Sequence, residues 1–102
     1  MSEDSFTDFV LDQLHDLCQL RCRAMFGGHG LYNGGTFFGI IHRGRLYLRT
    51  TEHTRARYRA AGMGPFQPND KQTLKNYYEV PPEVIEDTRR LIEWAVDAAD
   101  GA

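Results

Sequence analysis

The apolar positions along the chain change period twice. In SFTDFVLDQLHDLCQL, residues 5–20, Phe6, Phe9, Val10, Leu14, Leu17 and Cys18 fall at helical spacing while Asp8, Asp12 and Asp16 line another face. The spacing predicts an amphipathic helix with Ser5 at its N-cap and Asp8 in the positive first turn. Further on, TFFGIIH (36–42) is β-branched and aromatic, and RLYLR (45–49) alternates cleanly. Asn33-Gly34 is a strong hairpin dipeptide, so residues 29–32, 36–42 and 45–49 are expected to form a three-stranded antiparallel meander. A two-residue loop at Arg43-Gly44 would set Ile41 opposite Leu46 and Gly39 opposite Leu48. On the other side of the sheet it would set Ile40 opposite Tyr47 and Phe38 opposite Arg49.

Helical character returns at Thr51–Ala61, with a threonine cap, Glu52 in the first turn, arginines later and Gly62 as the stop. This helix is short and is expected to lie over a sheet edge. GPFQPND is loop chemistry that allows at most a brief edge strand around Phe66. LKNYYEV, residues 74–80, fits another strand, and Pro81-Pro82 opens a last helix. Val84, Thr88, Leu91, Ile92, Ala95 and Ala99 make the expected buried stripe of that helix, with Trp94 near its edge. The order α-β-β-β-α-(β)-β-α predicts an α+β fold of two layers, a mostly antiparallel sheet with helices on one side. A length of 102 residues, without a linker or repeat, predicts one domain over 1–102.

Composition narrows the class. Apolar residues at 41% and charged residues at 25% match ordinary globular proteins. No apolar run approaches the roughly 18 residues of a membrane span. The acidic start MSEDSFTDF is unlike a secretory signal. Cys18 and Cys22 have neither zinc-site nor redox-motif spacing. The expectation is a cytoplasmic protein that makes no membrane contact. Its net charge of −2 is unevenly spread. Residues 43–75 carry eight basic against two acidic groups, while acidic residues dominate both flanks. The basic middle can meet an anionic partner, but the total charge argues against strong nonspecific nucleic-acid binding.

The glycine-rich stretch MFGGHGLYNGG, residues 25–35, invites a phosphate-loop reading. Its glycines are out of step with G-x-G-x-x-G, a strand rather than a helix follows, and G-K-[ST] is missing. Gly27, Gly28 and Gly30 are better read as relief for a backbone bending into the sheet. The hairpin register expected above places His29 opposite Phe38, on the face that also carries His42. No catalytic triad or metal-ligand spacing surrounds it, so no catalytic, cofactor or metal site is expected, and no enzyme activity. The more informative feature is the second sheet face, expected to show Phe38, Ile40, His42, Arg45, Tyr47 and Arg49 opposite a helix-covered Phe37, Ile41, Leu46 and Leu48. Such a face can be covered by the last helix or by residues 63–73. If open, it can serve as a protein interface or stack nucleic-acid bases.

Arg23-Ala24-Met25-Phe26-Gly27-Gly28-His29-Gly30-Leu31-Tyr32 resembles the R-x-M-F-G-G-x-G-[LIV]-Y signature of the TfoX/Sxy N-terminal domain family. Agreement continues through Phe37-Phe38-Gly39-Ile40, Leu46-Tyr47-Leu48-Arg49, Gly62 with Pro65-Phe66, and Tyr77-Tyr78-Glu79-Val80-Pro81, covering about residues 5–99. The resemblance implies a two-layer, secretion-chaperone-like fold and a role in regulating bacterial competence. It also implies a transcription-factor partner such as the cyclic-AMP receptor protein. Full-length regulators of this kind carry a C-terminal helical domain, which is expected to be absent here because the sequence stops at Ala102. The leading expectation is therefore a regulatory or adaptor protein acting through protein–protein contacts, with a homodimer among the forms considered. The alternatives are direct nucleic-acid binding through segment 43–75, and a small-ligand-binding protein or enzyme using loop 25–35.

Overall fold

The computed structural model describes residues 3–25 and 27–100. Its elements, in chain order, are α1 (Glu3–Gln13), β1 (Leu20–Met25), β2 (Gly28–Asn33), β3 (Thr36–His42), β4 (Arg45–Arg49), α2 (Glu52–Ala60), β5 (Pro65–Asn69), β6 (Gln72–Glu79), α3 (Pro82–Ile85) and α4 (Thr88–Asp100). The strands form one six-stranded sheet in the order β1-β2-β3-β4-β6-β5. Every pairing is antiparallel. The α+β, two-layer expectation holds, with one strand and one helix more than the pattern suggested.

The additional strand corrects the first helix. That helix already runs at Glu3, so Ser5 is not its cap, and it ends at Gln13 rather than near residue 20. Leu14 and Leu17 then close successive turns, and Leu20 begins β1. Leu-Arg-Cys-Arg alternates as a strand does, but the run is short and follows directly on a helical pattern. The last helix also divides. Gln13 Nε2 donates to the Ile85 carbonyl (2.8 Å), and Thr88 Oγ1 donates to Gln13 Oε1 (2.8 Å). One side chain at the end of α1 thus binds both sides of the α3–α4 break. Thr88 is accordingly exposed rather than part of the buried stripe, while Trp94 is buried rather than marginal.

The main core lies between the sheet and the helices. Leu31, Phe38, Ile41, Leu46, Leu48 and Tyr78 come from the sheet, and every helix contributes: Val10, Tyr58, Val84, Ile85, Leu91, Trp94 and Ala95 are among the residues they supply. Helix α2 is held at its start by Thr51, whose Oγ1 accepts from the Thr54 amide (3.1 Å) while Thr54 Oγ1 accepts from the Thr51 amide (2.9 Å). Tyr58 is the buried residue of α2, its ring 4.7 Å from Trp94 and 6.0 Å from Tyr78.

Two local features set which side chains face the helices. Asn33 pairs with Thr36, so the turn residues are Gly34 and Gly35, at φ +59° and +90°, rather than Asn33 and Gly34. Two successive positive φ values are what a two-residue hairpin turn demands, and two glycines meet that without strain. Further along, Tyr32 pairs with Phe37 but Leu31 pairs with Gly39, leaving Phe38 as the extra residue of a β-bulge. Together they place His29 opposite Ile41 instead of Phe38. The β3–β4 register is as expected, with Gly39 opposite Leu48, Ile40 opposite Tyr47 and Ile41 opposite Leu46.

Candidate functional site

The helices leave the second sheet face free, and the curled β5–β6 hairpin covers only part of it. Phe66 swings onto Tyr47, ring centroids 4.5 Å apart, and meets the edge of His42 at 5.3 Å. Ile40, Tyr47 and Phe66 form a small second core, flanked by half-buried Phe37, Leu74 and Tyr77. Beside it Tyr32, Phe37 and Tyr77 continue a line of rings, at 5.1 and 5.5 Å. What stays uncovered is a groove of about 620 Å³, lined chiefly by Met25, Phe37, Ile40, His42, Phe66 and Leu74. Its wall is mostly apolar, with the His42 imidazole and the amides of Asn69 and Gln72 among it, a composition suited to holding an apolar segment and fixing it with few polar contacts.

The set of side chains expected on the second sheet face is thus found there with one exchange. Ile40, His42, Tyr47 and Arg49 belong to it, and Arg45 stands at its rim. Phe38 does not: it is fully buried in the helix-side core, and Phe37 takes its place in the groove. The bulge is the cause, because an extra residue reverses alternation for the residues before it. The cover considered for residues 63–73 arrives in part through Phe66, whereas Leu74, expected on a strand, was not expected on this face. The prolines that marked residues 65–68 as loop are tolerated on an edge strand, and the curl of that edge is set by tertiary packing.

The charges around the face are unequally engaged. Arg45 Nη1 donates to Glu79 Oε1 at 3.1 Å. Arg21 and Arg23 are exposed and have no hydrogen-bond or ion-pair partner among the described residues. Burial holds the Tyr47 phenol above its ordinary pKa; Glu79 adds to that shift and Arg45 opposes it. Burial raises Tyr77 too, against the pull of Arg49 and with some help from Tyr32. Both tyrosines beside the groove are therefore neutral hydrogen-bonding groups at physiological pH.

The basic segment does not assemble on this face as one patch. Arg55 Nε donates to Thr50 Oγ1 (3.2 Å) and its Nη2 to Asn76 Oδ1 (3.2 Å). Arg57 lies over the Trp94 ring at 4.5 Å and makes an ion pair with Asp97 at 3.0 Å. Arg59 lies 5.9 Å from the Tyr78 ring centroid. These three arginines brace α2 on its aromatic bed.

The signature loop is a hairpin. Met25 pairs with Gly28 and the turn passes through Gly27, at φ +74°; Phe26 lies outside the described residues. A Cβ on Gly28 would run into the carbonyl oxygen of Ile41, so the close approach of β2 to β3 requires glycine there. Arg23 faces Gly30 across β1–β2, and Tyr32 faces Arg21. His29 is half-buried on the helix side of the sheet, opposite Ala24 and Ile41, with Nδ1 enclosed and unpartnered. His42 is on the other side, so the expected pairing of these two histidines on one face is corrected. Among the described residues no three His, Cys, Asp or Glu side chains gather as metal ligands, and no helix is long and apolar enough to cross a membrane.

Comparison with known proteins agrees with the signature. Over 80 residues the chain is 35% identical to the DNA transformation protein TfoX1 of Aliivibrio fischeri (strain ATCC 700601 / ES114). That alignment covers 76% of this chain but 36% of the relative, so the chain spans well under half of that protein's length. Residues 12–102 match the TfoX N-terminal domain, taking in every strand and three of the helices. The chain belongs to the TfoX N-terminal domain family.

Proposed function

We infer that this chain is a regulatory or adaptor protein linked to bacterial DNA transformation, acting through protein–protein contact at the open sheet face. The single observation that carries the mode of action is the apolar groove beside the Ile40–Tyr47–Phe66 cluster, uncovered by any helix among the described residues. Aromatic, methionine and arginine side chains are those that protein interfaces favour. The family membership supports the biological setting, and the name of the Aliivibrio relative points to DNA transformation. The partner expected from the family resemblance is a transcription factor such as the cyclic-AMP receptor protein, and a homodimer is the other form of contact. The role is non-enzymatic and cytoplasmic.

The test is binding of purified chain to purified cyclic-AMP receptor protein, alongside sedimentation of the chain alone. Met25→Glu with Leu74→Glu places two charges in the groove at half-buried positions. Loss of complex or of self-association in this variant, with its thermal unfolding still cooperative, is the expected result. Wild-type protein that neither binds nor self-associates, or a variant that matches it, would overturn the reading. Direct nucleic-acid binding is less supported, because the arginines of α2 are engaged within the fold. A complex that survives nuclease treatment and moderate salt separates the two, since phosphate contacts weaken steeply with salt.

A further inference from the structure

The sheet has two edges, and they are unlike. β5 carries Pro65 and Pro68, a residue type that blunts strand pairing. β1, at the other end, has six residues without proline, and among the described residues no strand pairs with its outer side. The Gly34 amide donates to the Gln19 carbonyl at 3.1 Å, in line with the β1–β2 register. Hydrogen-bonded pairs in an antiparallel ladder alternate, so Arg21, Arg23 and Met25 turn their backbone inward to β2. Cys22 and Ala24 then turn their amides and carbonyls outward, as donor and acceptor sites for another strand.

Side chains decide what strand that can be. Arg21 and Arg23 stand two residues apart, exposed and unpaired, on the open side of the sheet. Leu20 and Cys22 point to the helix side and pack against the main core. Antiparallel pairing with a second copy over the middle of β1 sets arginine against arginine: in the register centred on Cys22, Arg21 faces Arg23. The register centred on Arg21 opposes that arginine to itself, and the one centred on Arg23 does the same for Arg23; registers centred on Leu20 or Ala24 escape the contact but overlap by three strand residues or fewer. Like charges directly opposite each other are unfavourable, and the closeness of non-hydrogen-bonded pairs, about 4.5 Å between Cα atoms, makes the contact direct. The edge is therefore guarded against itself and complementary to acids.

We propose that the β1 edge is a strand-addition site for an extended segment of another protein that alternates acidic and apolar residues. The acids meet Arg21 and Arg23, the apolar side chains extend the core side beyond Leu20 and Cys22, and Cys22 and Ala24 supply the backbone bonds. This surface is distinct from the groove, and the proposal does not depend on the regulatory reading.

The probe is an acetylated, amidated octapeptide alternating glutamate with valine, compared with one alternating lysine with valine. Binding to the full chain is followed by amide shifts and hydrogen exchange. The glutamate peptide is expected to bind at least about tenfold more tightly than the lysine peptide, and to slow exchange at the Cys22 and Ala24 amides. Arg21→Glu with Arg23→Glu, both at exposed positions, should reverse that preference. Ala24→Pro, which removes one outward donor, should weaken the glutamate peptide about tenfold or more, whereas Phe37→Ser in the groove should leave its binding intact. Equal binding of the two peptides, unchanged exchange at Cys22 and Ala24, or loss of binding in Phe37→Ser would each overturn the proposal.

Discussion

Phe37 and Phe38 are chain neighbours on β3 and end in opposite environments. Phe38 is sealed among helices, whereas Phe37 is a half-buried wall of the groove beside Tyr32 and Tyr77. The helix-side face closes into a dry core to which every helix contributes. The other face keeps only a three-residue cluster and a groove. One sheet thus has a packed face and an open one. A side chain's role here depends on which side its register gives it, more than on its type.

The strongest way to break that comparison is to truncate each phenylalanine in turn. Phe38→Ala should cost about 3–5 kcal/mol in denaturant unfolding, a fully buried aromatic leaving a cavity the core cannot refill. Phe37→Ala should cost about 1–2 kcal/mol, since groove and solvent already take up part of its surface. Equal losses would mean that the groove is as tightly packed as the core.

A second contrast uses the buried phenol of Tyr58 on the helix side. Burial raises its pKa far above 10; the Arg57 guanidinium pulls it back only in part, and Asp97 adds to the rise. A group whose folded pKa is raised lends stability that is complete below its unfolded pKa and is lost as pH climbs toward the folded one. Stability should therefore fall above pH 10 by up to about 1.4 kcal/mol per pH unit for this one group. Tyr58→Phe should flatten that alkaline slope more than Tyr47→Phe or Tyr77→Phe. At neutral pH it should cost little, because the Tyr58 hydroxyl has no hydrogen-bond partner among the described residues.

Smaller effects sharpen the picture at the boundaries of the two layers. Thr51→Ala removes the reciprocal cap of α2 and should cost about 1 kcal/mol, read as a lowered midpoint of thermal unfolding. Glu79→Gln breaks the pair with Arg45, whose side chain is 61% exposed. That change should cost well under about 1 kcal/mol and vanish at high salt. A larger, salt-resistant loss would show that the rim of the open face is structural.

Much of the fold was legible in local chemistry. The β3–β4 register followed from Arg43-Gly44, the α2 cap from Thr51, and the brief edge strand from Pro65 and Phe66. Other features were not. β1 was hidden because Leu20 and Cys22 continue the helical spacing of α1 until the turns after Gln13 intervene. The exchange of Phe37 and Phe38 was hidden because a bulge leaves no mark on composition. A single extra residue changes every alternation argument upstream of it. The placing of Phe66 and Leu74 at the groove was hidden for a related reason: an edge hairpin's curl depends on the face it folds over.

The sequence by itself determined the family, the α+β class and the division of charge between a basic middle and acidic flanks. Those rest on residue identity, turn dipeptides and periodicity, which act over a few positions. Only the tertiary structure decided which aromatic faced the helices, which arginines were engaged on α2, and which edge stayed open with Arg21 and Arg23 beside it. Those outcomes depend on register and on contacts between residues far apart in the chain. A one-residue shift, worth nothing in local propensity, moves a side chain from core to solvent.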